Sequence, residues 1–133
     1  MMVYSIGQVA KQSSVSVETI RYYEKEGLLE KPERKESGYR QYNESVLERL
    51  LFIQQAKNLG FTLSEILELL SLEIKPGTTS KDIKQIAQLK LVSIEEKIRI
   101  LKRMQRTLKN LVTQCSGRGA IGECPILNAI KEK

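Results

Sequence analysis

Cys115 and Cys124 are the only two cysteines in the chain, which has no histidine. Eight residues lie between them, and three of these, Gly117, Gly119 and Gly122, are glycines. A loop this pliable lets two sulfurs turn toward each other and share one ion. Thiolates are soft ligands that select Cu(I), Zn(II), Hg(II) and similar metals. Cys124 is followed by Pro125, which suits the first position of a short helix over Ile126 to Lys131. The Cys124 sulfur would then stand at a helix N-terminus, where the backbone dipole favours a thiolate. Ile126, Leu127 and Ile130 could shield an ion there from water. The bland alternative is a pair of inert thiols, with Cys115 an apolar residue of a helix seam.

The ligand count narrows the metal. A structural zinc site takes four ligands from Cys, His and carboxylate, and only two good ones are present. Two thiolates suffice for linear coordination of a monovalent ion, so Cu(I), with Ag(I) and Au(I) beside it, is the expected cofactor. Hg(II) also accepts few thiolates and stays open, as does Zn(II) with further ligands. Catalysis is not expected, because there is no His base and no paired carboxylate set in a plausible cleft. Gly117-Arg-Gly119-Ala-Ile-Gly122 matches a dinucleotide-binding pattern by letter, but no strand precedes it.

The apolar fraction of 41% and charged fraction of 29% are those of a soluble globular protein. At 133 residues the chain is one domain, or one with an extension. No apolar run approaches the roughly 18 residues of a membrane span. The opening Met-Met-Val-Tyr-Ser-Ile lacks the basic and apolar regions of a secretion signal. A cytoplasmic location is expected, where thiols stay reduced. The net charge of +6 suits phosphate binding, but it is unevenly spread. Residues 1–44 are net neutral, residues 45–75 carry −1, and residues 76–133 carry +7. A solvated helix face explains that excess as well as a polyanion does.

The elements that must position these groups follow from the pattern. Ser5 is a plausible cap for a helix bearing Ile6, Val9 and Ala10 on one face. After a break at Ser13-Ser14-Val15, Ser16 caps a second helix from Val17 to about Lys25, which Gly27 stops. Two short helices joined by a tight turn read as helix-turn-helix. The second presents Glu18, Thr19, Arg21 and Tyr22 outward, with Val17 and Ile20 facing in. Leu28 to Arg34 reads as an extended piece, Lys35-Glu36-Ser37-Gly38 as a turn and Tyr39 to Tyr42 as a returning strand, together a small wing. Asn43 caps a helix from Val46 to about Leu59 bearing Val46, Leu47, Leu50, Phe52 and Ile53. Thr62 or Ser64 starts a fourth, with Ile66, Leu67, Leu69 and Leu70 inward.

Ser5-Ile-Gly-Gln-Val-Ala, Val17-Glu-Thr-Ile-Arg-Tyr-Tyr-Glu-Lys-Glu-Gly-Leu-Leu, Gly38-Tyr-Arg-Gln-Tyr and Leu59-Gly-Phe-Thr-Leu together resemble the MerR family of transcription regulators, essentially from end to end. Arg21, Tyr22 and Thr19 are residue types that reach base edges and phosphates from the major groove. Tyr39 and Arg40 on the wing, with Lys11 and Arg34, would grip the flanking backbone. Tyr23 and Tyr42 divide evenly between DNA contact and packing. For Arg21 the bland reading is a surface ion pair with Glu18 or Glu24.

Lys75 to Thr79 reads as a hinge. Lys81 to Gln114 holds neither Gly nor Pro, so one helix of roughly 50 Å is expected at about 1.5 Å per residue. Ala87, Leu91, Ile94, Ile98 and Leu101 follow coiled-coil steps; Met104, Leu108, Leu111 and Cys115 resume them after a phase slip. Such a stripe needs a partner, and the simplest is a second copy. The resemblance implies that this pairing is antiparallel. It also implies that Ser80, where divalent-ion sensors place a cysteine, marks the copper-responsive CueR type; the bland reading of Ser80 is a helix N-cap. The eight-residue spacing instead equals that of the mercury and zinc sensors.

The expectation is therefore a mainly α protein. Residues 1–74 form a winged helix-turn-helix DNA-binding domain, 75–80 a hinge, 81–114 a dimerisation helix, and 115–133 a metal-binding loop with a short helix. It would occupy a palindromic promoter as a homodimer and, on binding Cu(I), Ag(I) or Au(I), distort the DNA so that RNA polymerase can use it. The alternatives are a divalent sensor (Hg, Zn, Cd or Pb) using a third ligand, a regulator switched by a Cys115–Cys124 disulfide, and an adaptor using its coiled coil for a protein partner. Small-molecule sensing is disfavoured because no ligand-binding domain follows the long helix.

Overall fold

The computed structural model describes residues 3–34 and 40–132, of which residues 33, 34 and 40 by their backbone only. It divides into two compact units, Met1–Gln85 and Ile86–Lys133. Helices dominate the first unit because each start carries a capping side chain. In α1, Ile6–Ser13, the Ser5 hydroxyl accepts from the Gln8 N–H while the Gln8 side chain accepts from the Ser5 N–H, a reciprocal capping box. Ser16 accepts from the Thr19 N–H at the start of α2, Val17–Lys25. Asn43 caps α3, Glu44–Asn58, and Thr62 with Glu65 forms a second box at α4, Leu63–Ile74. Caps of this kind contribute about 1 kcal/mol each.

Between α1 and α2 the chain turns through Ser14, whose φ of 57° is left-handed, and Gly27 ends the α2 region at φ 84°. The helix-turn-helix pair packs on α3 and α4 around Val9, Ile20, Leu50, Ile53 and Ile66, all but fully buried. Each such side chain is worth about 1.5–3 kcal/mol of transfer free energy. Leu28 and Leu29 lie in this core as well; the extended segment is an apolar plug, not merely a connection. The Arg49 guanidinium reaches the Leu28 carbonyl at 3.5 Å. Leu67, expected inward, is instead 39% exposed, and the apolar Phe52 of α3 is 38% exposed.

A two-residue antiparallel ladder joins β1, Glu33–Arg34, to β2, Arg40–Gln41, with Glu33 opposite Gln41 and Arg34 opposite Arg40. At one end of the ladder Tyr42, expected as part of the returning strand, bridges Tyr4 instead. The two exchange backbone hydrogen bonds of 2.7 and 2.8 Å. The expected turn at 35–38 lies outside the described residues.

Helix α5, Ser80–Gln114, runs through 35 residues of which none is buried. Its start differs from expectation. Thr79, not Ser80, stands at the cap, its backbone N–H donating to the Asp82 carboxylate at 2.9 Å, and Ser80 is the first helical residue. Below α5, a 3₁₀ turn over Ile121–Glu123 leads into α6, Pro125–Lys131, with Pro125 in its first turn. Among the described residues, no helix is long and apolar enough to cross a membrane.

Candidate metal centre and nucleic-acid interface

Helix α5 ends where Cys115 donates its backbone N–H to the Leu111 carbonyl at 3.1 Å. The chain then reverses through Gly117 and Gly119, at φ 75° and 102°, conformations that cost an L side chain about 1–2 kcal/mol. The Ser116 hydroxyl ties the reversal together, accepting from the Arg118 N–H and donating to its carbonyl, both at 3.2 Å. Asn128 on α6 reaches back to the Gly122 carbonyl at 3.5 Å. The loop therefore closes on itself and carries Cys124 to the mouth of α6.

Both cysteines are free thiols of intermediate exposure. Cys124 stands at the N-cap of α6 without a regular side-chain capping hydrogen bond. The Leu127 backbone N–H directed at it does most to hold this thiol below its ordinary range, while burial pushes the other way. The Ile126 N–H and the Cys115 thiol add to the lowering. The Cys115 thiol takes a minor part in that lowering, so the closed loop sets the two thiols near each other. Pro125, Ile126 and Leu127 are half-buried beside them, whereas Ile130 is 71% exposed. Ile130 does not shield the sulfurs.

Two adjacent soft donors fit a thiophilic ion. Among the described residues, no group of three or more Cys, Asp or Glu gathers to hold one. The donor set therefore suits a metal satisfied by two sulfurs or one that completes its shell from elsewhere.

On the first unit, the exposed face of α2 carries Arg21 and Tyr22, the latter 48% exposed with its ring 6.3 Å from that of Tyr23. Lys11 is exposed at the end of α1. Thr19 is half-buried and its hydroxyl lies 2.8 Å from that of Ser16, so it belongs partly to the cap of α2. Arg34 and Arg40 stand opposite each other in the ladder, and Tyr39 lies outside the described residues. Tyr23 and Tyr42 are core, 5% and 2% exposed. Glu24, considered as a surface partner for Arg21, is itself buried and bonded to Tyr42. Sequence reasoning missed that pair, although a carboxylate and a phenol 18 residues apart leave no local signal. Ser80 is exposed and borders a shallow apolar depression lined by Phe52, Leu69, Leu72 and Ile83.

Comparison with known proteins places this arrangement. Residues 4–73 match the family described as MerR HTH family regulatory protein, and residues 47–111 match MerR, DNA binding. The chain belongs to the MerR family. It is 41% identical, over 99% of its length and all of the relative's, to a mercuric resistance operon regulatory protein of Bacillus cereus. It is 44% identical to the HTH-type transcriptional regulator ZntR of Escherichia coli K12, over 97% of this chain and 93% of that one. Among solved structures it resembles the regulator PbrR691 of Ralstonia metallidurans CH34 in complex with lead(II). The TM-score is 0.83 at 35% identity, covering 98% of this chain and 99% of that one. HiNmlR, a MerR family regulator lacking the sensor domain and bound to promoter DNA, aligns at TM-score 0.59 and 28% identity, over 84% and 85% of the two chains.

As a MerR-family member the chain is a transcriptional regulator that works on promoter DNA, and not an enzyme. The same relatives overturn the expected metal. Those named for a metal are mercuric regulators and a lead(II) complex, so the choice of Cu(I), Ag(I) or Au(I), and with it the copper-responsive CueR type, is withdrawn. The physical reason is that two thiolates do not exclude a divalent soft ion. A hydroxyl at Ser80 is a weak guide when the remaining ligands can come from elsewhere.

Proposed function

We propose that this MerR-family regulator responds to a thiophilic divalent ion, Hg(II) in first place, held by Cys115 and Cys124. The observation that carries the reading is that the chain's two cysteines bracket one closed loop with, among the described residues, no third donor gathered beside them. Hg(II) is soft and needs few thiolates, so it is satisfied by what the loop offers. Zn(II) and Pb(II) would need further ligands, and Ser80 at the head of α5 is the position from which selectivity would be set. The likeness to the mercuric regulator of Bacillus cereus supports the same order.

On this reading residues 1–74 form the DNA-binding domain, 75–80 the hinge, 81–114 the dimerisation helix and 115–133 the metal-binding loop. Thr19, Arg21 and Tyr22 face the major groove and its phosphates, and the ladder bearing Arg34, Tyr39 and Arg40 acts as the wing that, with Lys11, grips the flanking backbone. The regulator is a homodimer. Along α5, Leu91, Ile98, Leu101, Met104 and Leu108 are 45–62% exposed, an apolar stripe that a second copy, laid antiparallel, would cover. The metal acts by favouring one of two dimer conformations, and the promoter responds through its shape, which brings it within use of RNA polymerase.

The test is a titration of reduced protein with Hg(II), Zn(II) and Pb(II) in the presence of competing chelators, followed by transcription in vitro from a promoter the protein occupies. Hg(II) should bind tightest and switch transcription on. Binding of all three ions with no transcriptional response would refute the proposal.

A further inference from the structure

We infer that Tyr42 and Glu24 are a positioning pair for DNA recognition, their buried hydrogen bond setting the angle at which helix α2 stands against the β1–β2 ladder. The inference rests on the reading above that α2 and the ladder face DNA. The Tyr42 hydroxyl donates to Glu24 Oε1 at 2.5 Å across 18 residues of sequence. Both groups are removed from water, at 2% and 8% exposure, and Glu24 is the buried charged residue of the core among the described residues. Burying a carboxylate is costly unless acceptor bonds compensate. A short O–H···O⁻ bond is among the stronger ones available and is directional.

The position of each partner gives this bond its consequence. Glu24 lies in the last turn of α2, one turn beyond the exposed Arg21, so a roll of the helix about its axis moves both together. Tyr42 follows directly on β2, exchanges backbone hydrogen bonds with Tyr4, and precedes the Asn43 cap of α3. A single residue thus joins the N-terminal segment, the ladder and α3, and its hydroxyl adds α2. Apolar packing of Ile20 and Leu28 is non-directional and fixes how deep α2 sits. The hydroxyl-to-carboxylate bond is directional and ties the rotation of α2 to the ladder.

The experiment uses the full-length protein and a duplex selected by the wild type from random sequence. Affinity for that duplex and for a random duplex is measured at one salt concentration, with hydroxyl-radical footprints and thermal melts. Tyr42→Phe should lose about tenfold in selected-site affinity, the scale of one hydrogen bond to a charged group, and lose protection at the outer edges of the footprint. Its affinity for random DNA should stay unchanged. Glu24→Gln keeps an acceptor oxygen for the Tyr42 hydroxyl and should restrict the loss to a small fraction of that. The double variant Tyr42→Phe/Glu24→Leu removes both ends of this bond together and should still lack site preference at a folded fraction fixed by the thermal melts. The inference is overturned if the double variant, or Tyr42→Phe, reads the selected site with wild-type affinity and footprint. It is equally overturned if both affinities fall in step with the folded fraction, which would make the bond merely structural. Failure of the wild type to select any DNA would instead strike the parent reading, and this one with it.

Discussion

A sulfur facing backbone N–H groups ionises more readily than one in water, and at Cys124 the sign of that effect gives a measurable order. With the thiol held below its ordinary range by the Leu127 N–H, its thiolate is populated at lower pH. Alkylation of metal-free protein should begin at Cys124 at a pH below that of a free thiol, and peptide mapping would show it. Replacement of either Cys115 or Cys124 by serine should abolish the metal response while promoter occupancy persists, read by transcription and footprinting in parallel. Arg21→Ala should weaken DNA binding by about 1–3 kcal/mol and flatten its salt dependence; an unchanged salt slope would remove Arg21 from the interface. Residue types were legible in the sequence, and the two cysteines and the outward Arg21 and Tyr22 were found by spacing alone. What each type touches was less legible. Thr19 shares the α2 cap with Ser16, and Glu24 turns inward to a phenol no periodicity points to. The ion was misread because two sulfurs restrict softness and leave charge and coordination number free.

Among the elements, the helices were readable because their starts are chemical signals. Ser5, Ser16, Asn43 and Thr62 each carry a side-chain oxygen that the first turn needs. At α5 the neighbouring hydroxyls of Thr79 and Ser80 blurred the boundary by one residue, and the aspartate three places after Thr79 was the cue that separates them. The segment around Leu28 and Leu29 was underrated because an extended plug has no period to detect, although it is as buried as any helix. Its weight can be measured. Leu28→Ala should destabilise the protein by about 2–5 kcal/mol in urea unfolding, whereas the same change at exposed Leu59 should stay within about 0.5 kcal/mol. Phe52 and Leu67 show the complementary limit, since an apolar letter states a preference for cover and not the presence of it.

At the scale of the whole molecule, the 35 residues of α5 have no buried member, so most of its apolar stripe is left open to a covering partner. On the proposed reading that cover comes from a second copy. A charge set into the stripe, Leu108→Lys, should yield monomers by light scattering and lower operator affinity steeply, with little effect on the Val9–Ile66 core. The same bareness makes the fold answer to mass action: melting temperature should fall on dilution. Gene dosage then enters the switch. A cell holding few copies would keep part of its sensor as unpaired chains, and its threshold for the toxic ion would drift with expression level as well as with exposure.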